Sequence, residues 1–218
     1  AVGYLAGEGV LRDGADVREV RYCDVGEGEP QLYNVVTVAT TFPLGDEVFA
    51  RTGVISSSCG ACGKTSIDQV KLMVDPLPAG PALPVSMLVA LPGRLREGQV
   101  LFERTGGVHA AGHFRSDGAL VAVREDVGRH NAVDKLVGAS MLQGPRVRPS
   151  DVLVLSGRVS FEMVQKAAIA GFGVVVAVSA PSSLAVRAAE ELGCTVLGFT
   201  RGGAANVYSH GERVDLDA

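Results

Sequence analysis

Val152-Leu153-Val154-Leu155, Val174-Val175-Val176-Ala177-Val178 and Thr195-Val196-Leu197-Gly198-Phe199 are three short, almost wholly apolar runs. Between them lie two stretches with helical spacing, Ser160 to about Ala170 and Ser182 to Leu192, the second closed by Gly193. A strand with one wet face alternates polar and apolar residues; a continuous apolar run marks a strand covered on both faces. Strand, helix, strand, helix, strand therefore predicts right-handed parallel crossovers and an α/β fold.

In such a sheet the loops after the three strands share one carboxyl edge, where open α/β sheets bind ligands. Here those loops are Ser156-Gly157-Arg158, Ser179-Ala180-Pro181-Ser182 and Thr200-Arg201-Gly202-Gly203. Glycine lets backbone amides approach an anion, serine supplies hydroxyls, and the helix N-termini point the same way. Arg158 and Arg201 add charge suited to phosphate. Turn chemistry alone would also collect glycine and serine here. No GxGxxG or Walker pattern is present, so neither a dinucleotide nor a kinase reading has a motif behind it.

Upstream the pattern is more mixed. His109 to Phe114 and Ala119 to Arg124 flank Arg115-Ser116-Asp117-Gly118, a hairpin signal. Asp126 is expected to cap a helix whose apolar face carries Val127, Val133, Leu136, Val137 and Met141. Around that start, Arg129, His130, Asn131, Asp134 and Lys135 read as a solvated face with local i,i+4 pairs, His130 with Asp134 and Asn131 with Lys135. Leu91, Leu95, Gln99 and Phe102 predict one helix ending at Gly106-Gly107. Val17 to Tyr22 and Leu32 to Thr40 are strand-like, and Ser66 opens a capping-box spacing before Ile67, Val70 and Val74. Prolines 76, 78, 81 and 84 are the best linker. They suggest a β-rich part over residues 1–84 and an α/β cofactor-binding domain over residues 85–218.

The β-rich part holds a second chemical signal, Ser56-Ser57-Ser58-Cys59-Gly60-Ala61-Cys62-Gly63-Lys64. Two of the four cysteines in 218 residues fall in this loop, beside a lysine and ahead of a helix start, both of which lower a thiol pKa. A sulfur carrier, a dithiol redox couple, half a zinc site and an inert loop all remain open on spacing alone. Cys23 and Cys194 sit in strand-like runs and read as core residues. His109 and His113 could complete a zinc set with Cys59 and Cys62, but they lie on a strand-like segment without the spacing of a finger, so no metal site is expected. The zinc-deaminase order of H-x-E followed by P-C-x-x-C is reversed here and lacks its glutamate.

Composition sets wider limits. Hydrophobic residues make up 47% of the chain, and the formal charge is −4 with a pI near 5.6. That balance argues against bulk nucleic-acid binding, which needs a basic face. No apolar run approaches the roughly 20 residues that span a bilayer. The start, Ala1-Val2-Gly3-Tyr4-Leu5, has no signal-peptide pattern and no initiator methionine, as expected of a chain that begins inside a longer protein. The sparse cysteines suggest a reducing compartment.

Several segments line up with one family. They are Ser57-Ser58-Cys59-Gly60-Ala61-Cys62-Gly63-Lys64, Thr105-Gly106-Gly107-Val108-His109-Ala110-Ala111 and Arg124-Glu125-Asp126-Val127-Gly128-Arg129-His130-Asn131-Ala132-Val133-Asp134-Lys135. With them stand Ser156-Gly157-Arg158-Val159-Ser160-Phe161-Glu162-Met163-Val164-Gln165-Lys166-Ala167, Ser179-Ala180-Pro181-Ser182, Gly198-Phe199-Thr200-Arg201-Gly202 and Asn206-Val207-Tyr208. In this order they resemble the FdhD family, sulfur-carrier proteins required for formate dehydrogenase activity. The resemblance covers essentially the whole chain and is most specific over residues 124–135. Family members usually carry residues ahead of the segment that opens here, and His113 stands where an apolar residue is expected.

The resemblance implies a cytoplasmic sulfurtransferase with a cytidine-deaminase-like α/β fold. Such a protein accepts persulfide sulfur from a cysteine desulfurase. It passes that sulfur to the molybdenum cofactor, bis-molybdopterin guanine dinucleotide, before the cofactor enters formate dehydrogenase. By the same carry-over Cys59 is the persulfide carrier and Cys62 an assisting thiol. Phe199, Thr200, Arg201, Gly202, Gly203 and Ala204 match the guanine-dinucleotide-binding segment, so guanosine diphosphate should bind in the cofactor's place. Gly157, Arg158, Ser179, Ser182, His109 and Arg129 complete the expected cofactor-binding set, and a homodimer is expected from the family.

Overall fold

A computed structural model of the chain describes residues 1–23, 30–45, 67–71 and 73–218, with the Gln69 side chain left out. The Cys59–Cys62 loop, Lys64 and Ser66 lie outside the described residues.

The chain begins with α1 (Val2–Gly7) and a capped turn at Gly14–Asp16, then forms a two-stranded antiparallel ribbon, β1 (Val17–Tyr22) against β2 (Val36–Thr40). After α2 (Ile67–Lys71) the proline-rich stretch leads to β3 (Leu83–Pro84), α3 (Val85–Glu97) and α4 (Val100–Thr105). The remaining elements are β4 (His109–Phe114), β5 (Leu120–Asp126), α5 (Arg129–Gln143), β6 (Val152–Leu155), α6 (Phe161–Ala170) and β7 (Val174–Ala177). Then come α7 (Ser183–Leu192), β8 (Thr195–Arg201), β9 (Ala204–Ser209) and β10 (Val214–Asp215), which pairs with β3 in parallel.

Six strands form the main sheet in the order β5-β4-β6-β7-β8-β9. The central three, β6, β7 and β8, are parallel, and the strands flanking them run antiparallel. This is the expected α/β class, with a parallel βαβαβ half inside a mixed sheet. The continuous apolar runs have a direct cause. Leu153, Leu155, Val175, Ala177 and Val196 pack into one buried cluster with residues of α1, α5, α6 and α7. Their neighbours Val152, Val154, Val174, Val176 and Leu197 pack into a second, with Leu88, Leu91 and Leu95 of α3. Successive strand residues point to opposite faces, so helices on both faces require both sets to be apolar.

Val2, Ala6, Leu11, Ile67 and Val70 belong to the first cluster, so residues before Pro84 share a core with those after it. The proline stretch itself is tied to the sheet: Leu77 N–H donates to the Leu192 carbonyl, and Arg213 donates to the Pro78 carbonyl. No helix among the described residues is long and apolar enough to cross a membrane.

Glycines set the approach of α1 to α5. A Cβ on Gly138 would stand 2.8 Å from the Gly3 nitrogen, and one on Gly3 would overlap the Asp134 carbonyl. Gly3→Ala is therefore expected to cost about 1–3 kcal/mol through overpacking. A denaturant midpoint equal to wild type would show that α1 can be displaced without cost.

Some local expectations are corrected. The single helix predicted through Leu91 and Phe102 is two, α3 and α4, broken at Gly98-Gln99. There Gly98 N–H turns back to Leu95, and a side chain at 98 would press on Val123. The predicted strand from Leu32 starts only at Val36, after Tyr33 adopts a left-handed backbone. Asp126 ends β5 rather than capping a helix; α5 starts at Arg129, and Val127 is exposed in the connection. Cys194 is buried as expected, whereas Cys23 is only half-buried, its Sγ 3.1 Å from Thr37 Oγ1.

Candidate functional site

The carboxyl ends of β6 and β7 open on the same edge of the sheet as the start of β4 and the end of β5. The antiparallel register places His109 opposite Asp126 and Ala111 opposite Leu155. Three helices begin there: α5 after Gly128, α6 after Ser160 and α7 after Ser182, whose hydroxyl accepts Ala185 N–H at 3.2 Å. Each presents unsatisfied N–H groups and the positive end of its dipole.

Most of the predicted site residues are brought together here. Val159 N–H donates to Ala180 O at 3.1 Å, Ser182 N–H to Val159 O at 2.9 Å, and Phe199 N–H to Ser179 O at 3.2 Å. These bonds tie the loops holding Gly157, Arg158, Ser179 and Ser182 to Phe199. A Cβ on Gly157 would meet His109 Nδ1 at 3.2 Å and Arg129 Cδ at 4.0 Å, so this glycine lets the imidazole and guanidinium stem close around the loop. Ser156 Oγ accepts Ala110 N–H at 2.8 Å and lies 3.5 Å from His109 Nδ1.

The third predicted loop has a different form. β8 continues to Arg201 and turns through Gly202 (φ 59°) and Gly203 (φ 79°) into Ala204, so Thr200 to Ala204 is a hairpin. Two consecutive positive φ values are what a two-residue primed turn demands, and glycine meets them without strain. Just before the tip the register slips, and Phe199 takes φ 52° with its ring exposed. A bulky residue in that region is strained, and such strain clusters at ligand sites.

Three arginines of the predicted set, Arg129, Arg158 and Arg201, form no salt bridge among the described residues. Arg129 Nε and Thr200 Oγ1 are buried without a hydrogen-bond partner among them. Burial first, and then the charges of Arg129 and Arg158 with the His130 ring, holds the His109 imidazole below its ordinary 6.5. The carboxyl of Glu162 is pulled down to about 2, chiefly by His130, whose Nε2 stands 3.9 Å away, and also by Ser160. The edge gathers cationic, partly desolvated groups suited to an anion with several oxygens.

The α5 motif keeps Asn131 and Lys135 exposed, as its spacing suggests, but its side chains pair elsewhere. Asp134 pairs with Lys166 at 2.5 Å, Asn131 donates to Asp126 at 3.1 Å, and Lys135 reaches Asp126 at 2.6 Å. His130 faces Ser160 and Glu162, so neither predicted i,i+4 pair forms. His130, Ser160 and Glu162 thus stand at the candidate site in roles that spacing alone missed, while Ser156 belongs to a loop already expected there. Their signal lay in the two long motifs, 124–135 and 156–167. His113, weighed above as a zinc ligand, is buried at the other end of β4, with Nε2 bonded to Asp151 at 2.8 Å and its ring edge-on to Phe172.

Residues 1–215 match the FdhD/NarQ family. The sulfur carrier protein FdhD of Streptomyces coelicolor is 47% identical over 224 residues, covering 100% of this chain and 79% of the relative. That of Mycobacterium tuberculosis is 44% identical over 220 residues, covering 97% and 80%. Among solved structures, one from Desulfotalea psychrophila described as a formate dehydrogenase accessory protein superposes with a TM-score of 0.73. It is 26% identical, and the match covers 98% of this chain and 77% of that one.

Proposed function

The chain belongs to the FdhD/NarQ family, and from that membership and the cationic sheet edge we propose that it is a cytoplasmic sulfur carrier serving formate dehydrogenase. In this reading the Cys59 thiolate attacks the outer sulfur of a persulfide on a cysteine desulfurase, and the desulfurase cysteine leaves as thiolate. Cys59 then holds the sulfane sulfur. Attack by Cys62 on the Cys59 sulfur would release the outer atom as hydrosulfide and leave a Cys59–Cys62 disulfide, which a cellular thiol reductant resets. The acceptor is the bis-molybdopterin guanine dinucleotide cofactor, bound as substrate. The protein is proposed to act as a homodimer.

The observation that carries this proposal is the set of arginines at the sheet edge, Arg129, Arg158 and Arg201, without a salt-bridge partner among the described residues. Beside it lie the unpartnered Thr200 Oγ1 and three helix N-termini. A guanosine diphosphate moiety supplies what these groups lack: acceptor oxygens, negative charge and a base to meet the exposed Phe199 ring. A handle held there would fix the orientation of the reacting end.

Guanosine diphosphate is expected to bind the protein, and Arg201→Ala to weaken it by about 1.5–3 kcal/mol, or about ten- to a hundredfold. Calorimetry giving equal affinity for both proteins would remove Arg201 from the site. A cofactor-binding chaperone without sulfur transfer rests on the same edge and makes the same binding prediction. The two readings part at Cys59.

A further inference from the structure

We infer that the anion site takes up a proton when a nucleoside diphosphate binds, and that His109 is the group that accepts it. The inference rests on the nucleotide reading of the sheet edge and adds a proton coupling to it.

Among the described residues no carboxylate pairs with His109. Ser156 Oγ already accepts Ala110 N–H, so its own proton is free to turn toward His109 Nδ1, 3.5 Å away. With that bond formed, the ring proton of the neutral imidazole sits on Nε2. Four elements around the imidazole carry charged groups. α5 contributes Arg129 and His130, and the loop after β6 contributes Arg158. α6 contributes Glu162, which is engaged with His130. The cross-strand partner on β5 is Asp126, and its carboxylate already receives Lys135, Asn131 and Gly128 N–H. Among the described residues these nearby carboxylates are thus in use, and the guanidinium groups resist a further positive charge on His109. This agrees with the low basicity of its imidazole.

A bound diphosphate reverses the balance. Its charge offsets the arginines and its oxygens accept a hydrogen bond from a protonated ring, so the bound state binds protons more tightly than the free state. Linkage then requires affinity to fall as pH rises between the two His109 pKa values, by at most about tenfold per pH unit. Below both values, and above both, the His109 contribution should be flat.

The test is calorimetry of guanosine diphosphate binding in two buffers of different ionisation enthalpy, from pH 5.5 to 8.5, with wild type and His109→Gln. Glutamine keeps a donor and an acceptor but cannot carry the proton. The terminal phosphate of the ligand itself titrates near pH 6, identically in both titrations, so the difference between proteins isolates the imidazole. Wild type should take up an excess approaching one proton near pH 6.5 that His109→Gln lacks, whatever the affinity of the variant. As a second measurement, the ring proton resonances of His109 in wild type should titrate at higher pH with ligand than without.

Equal pH dependence in both proteins, or a His109 resonance whose midpoint does not rise, would overturn this inference and leave the nucleotide site standing. Uptake that survives in His109→Gln and vanishes in His130→Gln would also overturn it, by moving the proton to the neighbouring ring. Absence of binding by wild type at every pH would overturn the nucleotide reading and the proton coupling together.

Discussion

Cys59→Ser is expected to abolish the protein's ability to activate formate dehydrogenase, without a residual slow phase. A thiol with a pKa near 8.5 is only about 3% ionised at pH 7, and a nearby cation or helix N-terminus lowers that pKa. Lys64 is the nearest basic residue in the sequence on either side of Cys59. Serine keeps the shape of cysteine but cannot form a sulfur–sulfur bond, so no fraction of the transfer survives. Cys62→Ser should lose part or all of the activity, depending on whether another thiol can release the sulfur. The same experiment separates carrier from chaperone. Cys59→Ala should bind guanosine diphosphate as wild type does and yet fail to support the enzyme. Full activity in Cys59→Ser would remove the carrier role.

Arg213→Ala is expected to produce the largest loss of stability, on the order of 3–5 kcal/mol, since two buried carbonyls and a partly buried one each lose a partner, worth about 1–3 kcal/mol where the carbonyl is buried. Arg213 is 3% exposed and lies just before β10. Its guanidinium donates to Gly173 O at 2.9 Å, Gly193 O at 2.7 Å and Pro78 O at 2.7 Å. One side chain therefore pins the turns that enter β7 and β8 and the proline stretch outside them. Gly173 is part of the device, because a Cβ there would overlap the Pro149 carbonyl and stand 3.1 Å from Arg213 Nη1. Arg213→Lys should recover only part of the loss, since an ammonium lacks the planar fork that spans these oxygens. These contacts sit at the end of the parallel strands opposite the anion site. At a temperature where the variant is folded, nucleotide affinity should therefore be unchanged. A denaturant midpoint equal to wild type would contradict this account of Arg213.

The parallel half was legible because local and tertiary demands agree there. Val152 to Leu155 are apolar at every position since helices cover both faces, and α6 and α7 start and end within a residue of their sequence signals, at Ser160, Ser182 and Gly193. The convergence of Gly157, Arg158, Ser179 and Ser182 followed from topology alone. What spacing could not give were partners far away in the chain. Asp134 meets Lys166, and His130 meets Ser160 and Glu162, each across about thirty residues, so the helical i,i+4 pairs were the wrong guide. The break at Gly98 depends on Val123 of another strand. Gly202-Gly203 did carry a hairpin signal, but the loop was read for its anion-binding groups and not for its turn. The cysteine pair lies outside the described residues, and its role stands on the motif and the family.

The most direct test of the sulfur-carrier reading is mass spectrometry of the protein after incubation with a cysteine desulfurase and cysteine. The peptide containing Cys59 should gain about 32 Da, the mass of one sulfur, and lose it on reduction. Cys194 gives an internal control: burial pushes its thiol up to about 12, so it should stay unmodified. An adduct on Cys59 that is absent from Cys59→Ser is the predicted result. A wild-type protein that activates formate dehydrogenase while Cys59 never acquires the sulfur would contradict it.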